Sequence, residues 1–227
     1  MNALLANTQR KDHEMSLVAT ATAPHDTRGL YETDGGYAVD RREHQRVMTI
    51  YRVARVLMQD DQALALLRNI SDKGVSLSIS RTMDPGEHLR VQLSDSVEVQ
   101  GEVVWSQQDM CGVEFDQAVD CRAILGQLVE EAATGKARAL RLPTNALAMV
   151  DSEAGMVAAR IQNVSQAGAA LKTRSNFKPG MHVRIRTVSG IERRGTVRWS
   201  DDGWAGVQLI EPIGLRQLGS ARFWETD

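Results

Sequence analysis

Alternating apolar and polar positions predict short β-strands along most of the chain. Val75, Leu77 and Ile79 alternate with serines, which is the period-two pattern of a strand with one buried face. The stretch Asp84–Gly86 contains a Pro-Gly pair and predicts a turn before the next strand. Several short strands separated by such turns are typical of a closed barrel or a sandwich.

A later strand is predicted around Gly101. Val99, Val103 and Trp105 share one parity on either side of this glycine. The glycine itself predicts a bulge or bend in mid-strand. On this pattern Trp105 belongs to the core, and the same reasoning places Trp199 in the core.

Only one stretch has clear helical periodicity. Ile124, Leu128 and Ala132 recur at helical spacing, Asp120 is suited to cap the start of a helix, and Gly135 is suited to end it. We therefore expect one helix over 120–133.

An internal repeat divides the chain. Segments of the first half recur in the second half at a constant offset of 94 residues. The matched pairs are Gly101–Ser106 with Gly195–Ser200, Cys111–Phe115 with Ala205–Leu209, Pro85–Arg90 with Pro179–Arg184, and Asn69–Gly74 with Asn163–Gly168. We predict a flexible tail over residues 1–39, a first mostly-β domain with its C-terminal helix over 40–135, and a second copy over 136–227.

Composition narrows the classes of function. The net charge is −2 and aromatic residues make up 4% of the chain, which disfavours a β-barrel that binds polymeric nucleic acid. The two cysteines form no CxxC pair, and no apolar run is long enough to insert into a membrane, so we expect a cytoplasmic protein. Neither a metal site nor a catalytic constellation is evident, so we predict a non-enzyme without a cofactor.

Two short motifs carry the candidate chemistry. The first is an RxxxR pair preceded by another arginine, and the second is an NxSxxG turn. Each is common alone, because arginines four apart often lie on a solvated face and Asn and Ser often satisfy their own turn. Their order and their separation within one copy of the repeat indicate a shared binding role. The candidate residues are Arg41, Arg42, Arg46, Asn69, Ser71 and Gly74.

Together with Trp105 and the Gly112–Phe115 strand, these motifs resemble those of the PilZ domain family. The resemblance spans about residues 40–118 and, more weakly, about 138–212. It implies two tandem β-barrels and a receptor for cyclic di-GMP. This ligand carries two phosphates and two guanines, and arginine donates bidentately to both kinds of group. An arginine at position 41 implies, by the same resemblance, two ligand molecules per site.

The second copy departs from the pattern. Aligning Arg141 with Arg46 places Ala137 where Arg42 stands, so this copy is expected to bind weakly or to serve structure or a partner. Its possible weak site comprises Arg141, Asn163, Ser165 and Gly168. The expected mechanism is ordering of the N-terminal arginine segment by the ligand, read by an unknown downstream protein. The alternative is a PilZ-like adaptor that binds proteins and no nucleotide.

Overall fold

The structure, a computed structural model, describes residues 48–225. The first six strands close into a barrel in the order β1-β2-β3-β6-β5-β4, and every neighbouring pair is antiparallel. The strands are β1 (Met48–Leu57), β2 (Gln62–Ser71), β3 (Gly74–Ser78), β4 (His88–Gln92), β5 (Glu98–Gln107) and β6 (Met110–Phe115). The predicted strand around Val75 is β3, with Val75, Leu77 and Ile79 buried as expected.

A second barrel follows with the same strand order. Its strands are β7 (Leu142–Ser152), β8 (Gly155–Val164), β9 (Gly168–Thr173), β10 (His182–Thr187), β11 (Glu192–Asp201) and β12 (Trp204–Leu209). A 3-10 helix (Leu215–Leu218) and a short helix α2 (Arg222–Glu225) follow. The prediction of two tandem β-barrels is therefore confirmed.

The repeat offset holds in the strand register. Met48 pairs with Ile70 in the first barrel and Leu142 with Val164 in the second, which are the same positions shifted by 94. Continuing this offset places Leu140 at the position of Arg46, and Lys136 at that of Arg42. The sequence alignment of Arg141 with Arg46 is therefore wrong by one residue, because matching the arginines overrode the register that the strands fix.

The predicted helix is present as α1 (Cys121–Ala133). The Asp120 carboxylate accepts a hydrogen bond from the Ala123 N–H at 3.0 Å, and Gly135 follows the helix with a φ of 68°. Both predicted end signals are thus confirmed. Leu128 is the most buried residue of the apolar stripe that packs on the first barrel.

The two barrels have separate cores and also contact each other. The Asp61 carboxylate, after β1, accepts hydrogen bonds from the Arg81 Nη1 at 3.1 Å, from the Ser220 hydroxyl at 2.6 Å and from the Ala221 N–H at 3.0 Å. Leu64 of β2 is fully buried in the core cluster of the second barrel. The segment after β12 therefore fastens the second barrel to the first.

Candidate functional site

Bulges determine which side chains face outward from the first barrel. In β5, Val103 is opposite Val113 but Trp105 is opposite Gly112, so Val104 is an extra residue. The insertion reverses the parity after Val103. Trp105 is consequently 43% exposed, and its predicted place in the core is wrong.

The second barrel has the same bulge between Val197 and Trp199, and Trp199 is also outside the core. Gly101 is not the bulged position. A Cβ on Gly101 would collide with the Glu114 carbonyl of the neighbouring strand, so close strand approach, not a bend, accounts for this glycine. Counting alternate residues across an unrecognised bulge therefore assigns the residues after the bulge to the wrong face of the sheet.

Trp105 lies against Gly112 on the outer surface. A Cβ on Gly112 would collide with the Trp105 indole, so the ring rests on bare backbone of β6. This arrangement leaves an aromatic face on the outside of the barrel, where most barrels present polar side chains. The same relation holds between Trp199 and Gly206.

A bulge in β2 brings Asn69 onto the same outer surface. Leu67 pairs with Leu77, but Asn69 pairs with Ser76, and the Asn69 Nδ2 donates to the Ser76 hydroxyl at 3.1 Å. Within residues 48–225 no group donates to the Asn69 Oδ1. Its amide oxygen is thus an acceptor that is available to an N–H donor.

Ser71 and Gly74 form the turn between β2 and β3. The Ser71 hydroxyl donates to the Gly74 carbonyl at 3.3 Å and accepts from the Lys73 N–H at 3.4 Å. Gly74 is needed because a Cβ would collide with the Val113 carbonyl, and its φ lies outside the left-handed region. Both residues shape the turn, and their contact with a ligand stays a prediction.

These residues surround one open depression of about 480 Å³. Asn69, Ser71 and Gly74 line one side, and Trp105 lines another. This volume falls in the range of about 300–1,000 Å³ usual for small-molecule sites. Lys73 and Glu114 supply charges at its edge. Sequence reasoning did not assign Trp105 to this site, because only the bulge reveals which way its ring faces.

The turn is also tied to α1. Asp72, between the two motif residues, accepts a hydrogen bond from the Cys121 N–H at 3.1 Å. Hydrogen bonds from the Cys121 thiol and N–H lower the pKa of Asp72 below its ordinary value. Burial, reinforced by Asp72, raises the pKa of Cys121 to about 11. The thiol is therefore protonated at neutral pH and donates to the carboxylate.

The candidate arginines Arg41, Arg42 and Arg46 lie outside the described residues. What the structure gives is the point at which the chain enters the first barrel. Met48 pairs with Ile70 and Thr49 with Asn69. The first described residues of the chain therefore lie beside the end of β2 that leads into the Asn69–Gly74 turn.

The corresponding surface of the second barrel differs. The Ser165 hydroxyl donates to the Gly168 carbonyl at 3.3 Å, as in the first barrel. The Asn163 Oδ1, however, accepts a hydrogen bond from the Arg141 Nη1 at 2.8 Å. Leu140, at the position of Arg46, is only 8% exposed and belongs to the core. All four residues of the possible weak site therefore engage one another or their own turn.

No group of three or more His, Cys, Asp or Glu residues suited to a metal ion occurs in the described part of the chain. Among residues 48–225, no helix is both long and apolar enough to cross a membrane.

Comparison with known families gives one match, found twice. The sequence profile of the PilZ domain matches residues 40–131 and again residues 136–221. The comparison with curated proteins found no match.

Three solved structures are similar at low identity. PlzA of Borreliella burgdorferi, in complex with c-di-GMP, is 10% identical with a TM-score of 0.37, over 79% of this chain and 93% of that one. The Bacillus subtilis inhibitor of motility MotI/DgrA is 13% identical with a TM-score of 0.29, over 75% and 94%. Escherichia coli YcgR, in complex with c-di-GMP, is 12% identical with a TM-score of 0.27, over 73% and 80%. Values this low carry no conclusion about ligand or site.

Proposed function

Because this chain belongs to the PilZ domain family, we propose that it is a cytoplasmic receptor for cyclic di-GMP and acts without catalysis or a cofactor. The ligand binds on the outer surface of the first barrel. The observation that carries the proposal is the depression where Asn69 and Trp105 meet the turn of Ser71 and Gly74, next to the point where the arginine segment joins β1.

The chemistry of this depression suits a guanine. The Asn69 Oδ1 is an acceptor for a guanine N–H, and the exposed Trp105 face offers a stacking surface. Stacking of a base on an aromatic side chain contributes about 1–3 kcal/mol. An apolar ring fixed on Gly112 also loses little conformational entropy on binding.

The phosphates of the ligand are bound by the arginines. Arg42 and Arg46 donate to phosphate or to guanine O6 and N7, and Arg41 supports a second ligand molecule. Each charge-assisted contact contributes about 1.5–3 kcal/mol. Three such contacts reach the roughly 8 kcal/mol of a micromolar affinity, before ordering costs are subtracted.

Ligand binding orders the segment before β1. Clustered arginines repel one another until a dianion bridges them to the Asn69–Gly74 turn. The pairing of Thr49 with Asn69 supports this step, because β1 begins beside a residue that lines the depression. Residues 35–50 then present a new surface to a downstream protein. Limited proteolysis within residues 1–45 should slow when cyclic di-GMP is added, and unchanged cleavage would argue against this step.

The second barrel has a different task in this proposal. Its Asn163 is occupied by Arg141, and a buried leucine stands at the position of Arg46, so it does not act as an equal receptor. Its outer surface instead exposes Leu147 and Met149, with Arg160 and Arg186 opposite them on neighbouring strands. Residues 136–227 hold 14 Lys and Arg against 8 Asp and Glu. Such a surface suits an acidic protein partner.

Titration calorimetry tests the receptor proposal against the nucleotide-free adaptor. Wild type should bind cyclic di-GMP, and Arg42→Ala/Arg46→Ala should lose at least tenfold in affinity. Arg184→Ala/Arg194→Ala is the matched control, because these two arginines oppose each other on the second barrel and their removal changes the net charge equally. Absence of binding by the wild type would favour the adaptor.

A further inference from the structure

An arginine and a tyrosine meet beside Asn69, and neither belongs to the two motifs. At the junction of β1 and β2, Thr49 pairs with Asn69 and Arg52 with Leu67. Ile50 and Tyr51 therefore stand opposite Arg68 alone. The Arg68 guanidinium carbon lies 4.7 Å from the centre of the Tyr51 ring.

The β2 bulge turns Arg68 and Asn69 to the same side of the sheet. Leu67 and Ile70, which flank this pair, are both fully buried. In a regular strand, Arg68 and Asn69 would face opposite sides. Here both are half-exposed, and Asn69 lines the depression on the outer surface. Arg68 is thus an outward neighbour of a proposed ligand contact.

The Arg68 guanidinium lies against an aromatic ring. Arg81 and Arg90 form ion pairs with Asp61 and Glu98, whereas no carboxylate of residues 48–225 lies within ion-pair distance of Arg68. A guanidinium over an aromatic face keeps its in-plane N–H donors available, since the ring takes only one face. Tyr51 is 65% exposed, so the pair is open to solvent.

The second barrel provides a natural comparison. At the offset of 94, Gln162 stands at the position of Arg68 and Asn145 at that of Tyr51. The Gln162 Nε2 donates to the Asn145 Oδ1 at 3.4 Å. The same bulge is kept between Ile161 and Asn163. The first barrel, whose sequence includes the RxxxR motif, therefore has a charged guanidinium at this position. The second barrel has two neutral amides there.

We infer that Arg68 is a further ligand-contacting residue, whose guanidinium binds a phosphate of a cyclic dinucleotide seated against Asn69 and Trp105. Tyr51 is a positioning residue that holds the guanidinium flat and limits its rotamers. This inference deepens the proposed function and rests on it. It places a cation on the first barrel itself, beside Asn69.

The test is titration calorimetry of the full chain with cyclic di-GMP at low and at high salt. Arg68→Gln installs the residue of the second barrel, and the affinity should fall roughly ten- to hundredfold. Its affinity should also depend less on salt than that of the wild type, because one charged contact is gone. Tyr51→Phe should bind within about twofold of the wild type, whereas Tyr51→Asn should bind several-fold more weakly, since only phenylalanine keeps the ring.

Controls separate the two proposals. Arg184→Gln, on the second barrel, should bind like the wild type. Wild-type binding together with unchanged affinity in Arg68→Gln would overturn this inference and leave the proposed function standing. No binding by the wild type would overturn both. If the thermal midpoint of Arg68→Gln falls, Arg68→Lys is the deciding variant, because it keeps the positive charge but lacks the two-pronged guanidinium. Wild-type affinity in Arg68→Lys would contradict the inference.

Discussion

The carboxylate of Asp72 accepts a hydrogen bond from the backbone N–H of Cys121 at 3.1 Å. The turn that carries Ser71 and Gly74 is thereby fixed to the first turn of α1. A second hydrogen bond joins the turn to the chain just before α1, since the Val119 N–H donates to the Asp72 carbonyl at 2.8 Å. The turn is therefore fastened by two hydrogen bonds to the chain at the start of the helix that precedes the second barrel.

This contact predicts a pH-dependent stability. The folded-state pKa of Asp72 lies below its ordinary value of 3.8, so the stabilisation is present above that value and is lost as the pH falls through the folded pKa. Asp72→Ala should lower the thermal midpoint by a few degrees at neutral pH, and the difference from wild type should shrink below about pH 4. Asp116→Ala is the exposed control. A difference that persists unchanged in acid would contradict this assignment.

The seat of Trp105 on Gly112 predicts a matched pair of variants. Gly112→Ala and Gly206→Ala each force an indole off its strand, and each should destabilise its barrel by about 1–3 kcal/mol. Only Gly112→Ala should also weaken cyclic di-GMP binding, because only Trp105 lines the proposed site. Denaturant melts and calorimetry measure the two effects. Equal loss of affinity in both variants would show that general destabilisation is the cause.

Ligand stoichiometry tests the role assigned to Arg41. With arginine at this position, two cyclic di-GMP molecules should bind per chain, and Arg41→Leu should reduce the number to one. Analytical ultracentrifugation or calorimetry at saturating ligand gives the count. A wild type that binds one molecule per chain would remove this role while leaving the receptor proposal intact.

The two cysteines should be inert in the folded protein. Burial raises the pKa of Cys111 to about 11, with a further contribution from Glu87, and the pKa of Cys121 is raised to the same value. At pH 8 only about one thiol in a thousand is then ionised. A thiol-specific reagent should react slowly with the native chain and rapidly with both cysteines in denaturant. Fast native reaction would contradict this burial.

Much of the fold follows from the sequence because its signals are local or repeated. The constant offset of 94 predicts two copies of one domain, and the alternation around Leu77 predicts a strand that the register confirms. The helix α1 follows from its spacing and from the capping residue Asp120. These features depend on neighbours along the chain, which a sequence displays directly.

The candidate site is predicted less completely because it depends on bulges. An extra residue at Val104 turns Trp105 outward. An extra residue at Arg68 likewise turns Asn69 outward. Neither extra residue has a distinctive sequence signal. Register matters in the same way at the start of the second barrel. An alignment by residue type paired Arg141 with Arg46, whereas strand pairing places Leu140 there. Sequence motifs identify Asn69–Gly74, but only backbone pairing shows what surrounds them.

The most direct test of the receptor account compares Asn69→Ala with Asn163→Ala in the full chain by calorimetry with cyclic di-GMP. The two residues occupy equivalent positions of the two barrels, but within residues 48–225 only the Asn163 amide oxygen of this pair accepts a hydrogen bond, from Arg141. Asn69→Ala should lose about tenfold in affinity, whereas Asn163→Ala should bind like the wild type. Equal affinities in both variants and the wild type, or no binding in any of the three, would contradict the account.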